Sequence, residues 1–119
     1  MLVVEDEAPL RELVVVTLGQ AFTCIEAENG EEALAALAEQ PADLVFLDVM
    51  LPGMSGLDVL ERMRDDESLR QVPVVVVSAW QSQADVTRAL ELGADRFLPK
   101  PFKPDDLASV AHSLVGRAA

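Results

Sequence analysis

The sequence is poor in several things that would each open a class of function. Its 119 residues contain one cysteine, Cys24, so no intramolecular disulfide can form, and its place beside Ile25 fits a small buried thiol. No apolar run approaches the ~20 residues that would cross a bilayer. The N-terminus also lacks a basic segment followed by an apolar run, the mark of a secretory signal. A soluble, unsecreted, cytoplasmic protein without membrane contact is expected. Lysine is confined to Lys100 and Lys103, and the formal net charge is −12. That balance argues against direct nucleic-acid binding, because phosphate backbones need clustered Lys and Arg. No Ser/Gly linker or low-complexity tract divides the chain, so residues 1–119 are expected to form a single domain, long enough to bury about two-thirds of the surface of its unfolded form.

What the sequence does contain is an alternation of short apolar runs with segments of helical period. The strand candidates are Leu2 to Val4, Thr23 to Ala27, Leu44 to Leu47, Val74 to Val77 and Arg96 to Leu98. Several are apolar at every position, as strands covered by helices on both faces must be. Pro9 suits a first helical turn, with Leu10, Leu13, Val14 and Leu18 on one stripe and Gly19 as the stop. Val14 to Val16 could also be read as strand. Ala33, Leu34 and Leu37 follow Gly30; Leu57, Leu60 and Met63 follow Gly56; Val86 and Leu90 precede Gly93; Leu107, Val110, Ala111 and Leu114 follow Pro104. Because parallel crossovers are short and right-handed, the expected architecture is α/β, an open doubly wound (βα)5 three-layer sandwich around a five-stranded parallel sheet.

In such sheets ligands bind beyond the carboxyl ends of the strands. The residues predicted there are Glu5 and Asp6, Asp48, Ser78 and Lys100. Three converging carboxylates repel one another unless a cation neutralises them. Mg²⁺, which typically takes one or two carboxylates with phosphate oxygens and water, suits the set better than Ca²⁺. A lysine and a hydroxyl could stabilise a transferring phosphoryl group, and a carboxylate such as Asp48 could be the nucleophile.

These residues resemble the receiver domain of two-component response regulators. The resemblance covers nearly the whole chain and rests on LVVEDE at 2–7, LDVMLPGMSG at 47–56, VPVVVVSA at 72–79 and LGADRFLPKPF at 92–102, in the family's order. It implies a flavodoxin-like sheet in the order 2-1-3-4-5. It also implies that Asp48 is the phosphoacceptor, charged from the phosphohistidine of a sensor histidine kinase or a phosphotransfer protein. Asp6, Asp48 and the Met50 backbone carbonyl would ligate Mg²⁺, or Mn²⁺ in its place, with Glu5 acting through water. Ser78 and Lys100 would grip the phosphoryl oxygens. Ser78 and Phe97 would form the switch that alters partner binding through the last two helices and fifth strand, and the Lys100–Pro101 bond would be cis. Met50 and Trp80 match positions associated with the lifetime of the phosphoryl group. Such a domain catalyses only its own phosphorylation and dephosphorylation. An output domain or separate downstream protein, and a phosphorylation-dependent homodimer, are further partners of this type, although Arg96 stands where many DNA-binding members carry an acid in the dimer face. The chain ends at Ala119, just past the fifth predicted helix, which leaves a stand-alone receiver and a part of a larger regulator both open.

A haloacid-dehalogenase-type phosphatase combines similar groups, but it needs a D-x-D, and Asp48 is followed by Val49 and Met50. A flavodoxin-like electron carrier would have to hold a flavin phosphate on EDEAP, residues 5–9, which would repel it. His112 on the last helix reads as a surface or half-buried histidine, and Asp65, Asp66 and Glu67 as a solvated helix end.

Overall fold

The computed structural model describes residues 1–19, 22–40, 42–79 and 83–118. Five strands alternate with five helices: β1 (Leu2–Val4), α1 (Ala8–Leu18), β2 (Ile25–Ala27), α2 (Gly30–Glu39), β3 (Val45–Asp48), α3 (Gly56–Asp65), β4 (Val74–Ser78), α4 (Gln83–Glu91), β5 (Arg96–Pro99) and α5 (Pro104–Ala118). The sheet is parallel throughout and runs in the order β2-β1-β3-β4-β5, as expected. Among the described residues no helix is long and apolar enough to cross a membrane.

The continuous apolar strands are explained by two cores, one on each face of the sheet. Leu2, Val4, Val45, Leu47, Val74 and Val76 point to one side, where Ala33 and Leu37 of α2, Val59, Leu60 and Met63 of α3 and Ala89 of α4 cover them. Val3, Phe46, Val75, Val77 and Leu98 point to the other, under Val14 and Leu18 of α1 and Leu107, Ala111 and Leu114 of α5. Alternate residues of one strand therefore serve different layers, which is why no position in β1, β3 or β4 tolerates exposure. Val14 to Val16 is helical, not extended.

Two apolar residues of the helical segments face solvent. Leu13 is 41 % exposed and Leu90 is 48 % exposed. A helix cannot turn every member of an apolar run inward at 3.6 residues per turn; Val14 and Leu18 anchor α1, and Ala89 takes the core position on α4. Strand β2 begins at Ile25, two residues later than the expected start, because this edge strand is limited to the pairs Leu2–Ile25, Val3–Glu26 and Val4–Ala27.

Candidate phosphoryl-transfer site

Register brings the polar residues together. Val4 pairs with Leu47, so Glu5 emerges from β1 beside Asp48, the last residue of β3. Asp48 pairs with Val77 and Ser78 with Pro99, which sets Ser78 and Lys100 at the ends of the next two strands. The ladder bonds continue one step beyond: Glu5 N–H donates to the Ala27 carbonyl at 3.0 Å, Val49 N–H to Val77 at 3.0 Å and Lys100 N–H to Ser78 at 2.9 Å. The residues that carry charge thus start from backbone that is already fixed.

Glu5, Asp48 and Ser78 are buried, whereas Asp6 is exposed. Lys100 Nζ lies 2.9 Å from Glu5 Oε1 and 2.9 Å from Asp48 Oδ2. It donates a hydrogen bond to Asp48. The contact with Glu5 is an ion pair outside hydrogen-bond geometry, so Glu5 Oε1 has no hydrogen-bond partner among the described residues. The other Glu5 oxygen accepts from Glu7 N–H at 3.2 Å, and Asp48 Oδ1 accepts from Met50 N–H at 3.1 Å. Burial, reinforced by the neighbouring Asp48, pushes the Glu5 carboxyl up to about 7 despite Lys100. Burial alone would lower Lys100, but its contacts with Glu5 and Asp48 outweigh that and raise it, so the ammonium stays charged.

One oxygen from each of Glu5, Asp6 and Asp48 lies within 4.8 Å of the others. Three hard oxygen donors, one of them buried without a hydrogen bond, form a group that could hold a metal ion. Lys100 contacts two of the three acids, Glu5 and Asp48.

The loop after Asp48 is fixed by a close glycine contact and a capped helix. Gly56 N–H donates to the Val49 carbonyl at 2.9 Å, and a Cβ at Gly56 would sit 2.1 Å from the Asp48 carbonyl oxygen. Only glycine lets the start of α3 press so closely on the strand end that carries Asp48. Ser55 caps that helix: its hydroxyl accepts from Asp58 N–H at 3.2 Å while the Asp58 carboxylate accepts from Ser55 N–H at 3.2 Å. Gly53 adopts φ +76° to complete the turn. The Lys100–Pro101 peptide is cis.

The model of the response regulator receiver domain matches residues 1–112. The chain belongs to this family. It is 37% identical over 118 residues to the phosphate regulon transcriptional regulatory protein PhoB of Pseudomonas aeruginosa, covering 98% of this chain and 52% of that one. It is 43% identical over 110 residues to the DNA-binding response regulator MtrA of Mycolicibacterium paratuberculosis, covering 92% and 48%. The chain thus spans about half the length of the curated relatives it matches. Among solved structures, a receiver domain of a signal transduction histidine kinase from Syntrophus aciditrophicus superposes with a TM-score of 0.90 at 32% identity, over 98% of this chain and 89% of that one. The protein is therefore a receiver domain of the two-component type, and the phosphatase alternative gains no support.

Of the residues singled out in the sequence, Glu5, Asp6, Asp48 and Lys100 converge, and Ser78 ends the strand beside Asp48. Met50 is 48 % exposed and offers its backbone N–H to Asp48. Phe97 is half-buried on β5 and packs against the core on the α2, α3 and α4 side. Trp80 lies outside the described residues. His112 is exposed and touches Phe22, ring centroids 5.3 Å apart. A cleft of about 280 Å³ lined by Met1, Phe22, Ile25, Leu37 and Asp43 opens near the amino ends of β1 and β2, but it gathers no set of titratable groups. Sequence reasoning missed Gly56 and Arg11. The glycine carried a signal in its place just after the Asp48 loop; Arg11 carried none, because Glu26 and Glu28 lie 15 and 17 positions away and its contact with Glu5 is to the backbone.

Proposed function

We propose that residues 1–119 act as a phosphorylation-dependent signalling switch in which Asp48 accepts a phosphoryl group from the phosphohistidine of a sensor kinase or phosphotransfer protein. The observation that carries this reading is Lys100 Nζ held 2.9 Å from both Glu5 and Asp48 beside a third acid. An Asp48 oxygen attacks phosphorus as the bond to the donor nitrogen breaks, and the donor imidazole leaves. Lys100 and Ser78 hold the transferred oxygens, and the Met50 N–H steadies the attacking carboxylate. Asp6, Asp48 and the Met50 carbonyl would hold Mg²⁺, or Mn²⁺ as a substitute, with Glu5 acting through water; the ion would supply positive charge for the phosphoryl oxygens. Chemistry of this kind is limited to the domain's own phosphorylation and dephosphorylation.

The phosphoryl group adds roughly 1.5 to 2 negative charges to the pocket. Its contacts with Ser78 favour a conformation in which Phe97, half-buried in the present one, turns further inward and alters the surface of α4, β5 and α5. That surface would engage an output domain, a downstream protein or a second copy. PhoB is named as a transcriptional regulator and MtrA as DNA-binding, each about twice the length matched; an output role through a further domain is the corresponding expectation here, with no nucleic acid bound by these residues.

Incubation with acetyl phosphate and Mg²⁺, read by intact mass, tests the assignment. Wild type should gain one phosphoryl group, and Asp48→Ala should gain none. No gain in wild type, or an undiminished gain in the variant, would overturn it.

A further inference from the structure

We propose that Arg11 is a positioning residue for the metal-binding acids: it holds the peptide that joins Glu5 to Asp6, and so sets the spacing of the two carboxylates. This inference rests on the metal role assigned to those acids above. Arg11 lies one turn into α1, and its side chain is only 12% exposed. Nη1 donates to the Glu5 carbonyl at 2.9 Å. That oxygen belongs to the peptide linking Glu5 and Asp6, whose plane fixes the direction in which Asp6 leaves the strand.

The remaining donors are anchored. Nε donates to Glu26 at 3.0 Å and Nη2 to Glu28 at 3.4 Å, so the far side of the fork is tied to the middle of β2 and the loop beyond it. Glu5 N–H is bound to the Ala27 carbonyl, and the Glu5 carboxylate accepts from Glu7 N–H. The turn from β1 into α1 is thereby gripped at both of the Glu5 peptide groups. Without Arg11 the carbonyl has lost its partner, and the backbone carrying exposed Asp6 is free to rotate away from Asp48. A guanidinium suits this task because its planar fork reaches a carbonyl and two carboxylates at once; an ammonium is a single point of charge. Partners that orient a metal ligand commonly matter as much to affinity as this arrangement suggests.

The sign of the effect separates positioning from a simple field. Arg11 is a positive charge near a cation site, so removing it should tighten Mg²⁺ if only the field counts. If Arg11 positions the acids, removing it should weaken Mg²⁺.

Calorimetric titration of the full chain with Mg²⁺ decides between them, with a metal-free thermal melt as the control for folding. For Arg11→Gln the dissociation constant should rise roughly tenfold or more. Arg11→Lys, which keeps the charge, should weaken binding in the same direction and serves if Arg11→Gln does not fold. Labelling of Asp48 by acetyl phosphate should slow at limiting Mg²⁺ and recover at saturating Mg²⁺, because Arg11 touches no reacting atom. Unchanged or tighter Mg²⁺ binding in the folded variants would overturn this inference alone. A wild type that binds no Mg²⁺ would instead overturn the metal reading on which it stands.

Discussion

The two edges of the sheet use similar ingredients to opposite ends. At the carboxyl edge Lys100 stands between two buried carboxylates, with a third acid nearby and one oxygen of Glu5 lacking a hydrogen bond. At the amino edge Arg64 donates to the carbonyls of Gly93, Leu69, Arg70 and Val72 at 2.8 to 3.4 Å. It also pairs with Asp95 at 3.3 Å, and Asp95 in turn accepts from Val74 N–H. Burial draws the Arg64 guanidinium below its ordinary range, with Asp95 opposing the shift. Each edge has a glycine at a close approach: Gly56 against the Asp48 carbonyl, and Gly93, at φ +106°, against Arg64. One edge closes its polar account and ties three segments together. The other gathers three acids around one ammonium, a group that could hold a cation.

The largest effect is expected at Gly56, where α3 starts against the strand end that carries Asp48. Gly56→Ala would set a methyl 2.1 Å from the Asp48 carbonyl oxygen, and the start of α3 must move. A loss of about 3 kcal/mol or more in denaturant unfolding is expected, with loss of phosphorylation. Arg64→Ala should cost about 3 kcal/mol, because buried carbonyls lose a charged donor, while the folded fraction still labels Asp48 at the wild-type rate. Equal stability would show that the Arg64 contacts do not hold the fold, and a selective loss of labelling that the amino edge is not merely structural.

Acids at the other edge should behave in reverse. Asp6→Asn should stabilise the metal-free protein slightly by relieving repulsion, and should remove the gain that Mg²⁺ confers on wild type. That gain is about 2.7 kcal/mol at a concentration one hundred times Kd. A wild-type melting temperature indifferent to Mg²⁺ would contradict it. Glu5 carries a pH dependence of its own. Its carboxyl is pushed up to about 7 from the ordinary 4.5, so between those values the folded state holds more protons than the unfolded one, and metal-free stability falls as pH rises. Wild type should lose stability relative to Glu5→Gln across that window, with the difference levelling off above it. A difference that stays constant would count against the buried, like-charged environment of Glu5.

The smallest effect concerns the exposed Met50 side chain. If it hinders the water that hydrolyses the aspartyl phosphate, Met50→Asn should speed decay several-fold, a change of about 1 kcal/mol in barrier, with no change in melting temperature. An unaltered decay rate would remove Met50 from control of the signal's lifetime.

The strands and the residues at their carboxyl ends were legible because each depends on short-range pattern: an apolar run, then a polar residue, then a turn. Asp48 stood out as a buried acid before Pro52 and Gly53. The α1 and α4 stripes were less legible, since Leu13 and Leu90 fit the spacing as well as Ala89 does, and only packing against the sheet decides which residues are buried. Arg11 and Arg64 were not legible as organising residues. Arg11 meets Glu5, Glu26 and Glu28, and Arg64 meets Asp95 across 31 positions; no local period marks such pairings.

By itself, then, the sequence determined the alternation of strands and helices, the two-sided core and the set of acids, hydroxyl and lysine, because backbone propensity and apolar period act over a few neighbouring residues. Only the tertiary structure decided that Lys100, 52 positions from Asp48, would sit between it and Glu5, that Gly56 would press on the Asp48 carbonyl, and that Arg11 would hold the Glu5 peptide. The Lys100 contact comes from strand order and register, which bring distant segments to one edge; the Gly56 and Arg11 contacts come from the way each loop folds back onto the strand it leaves.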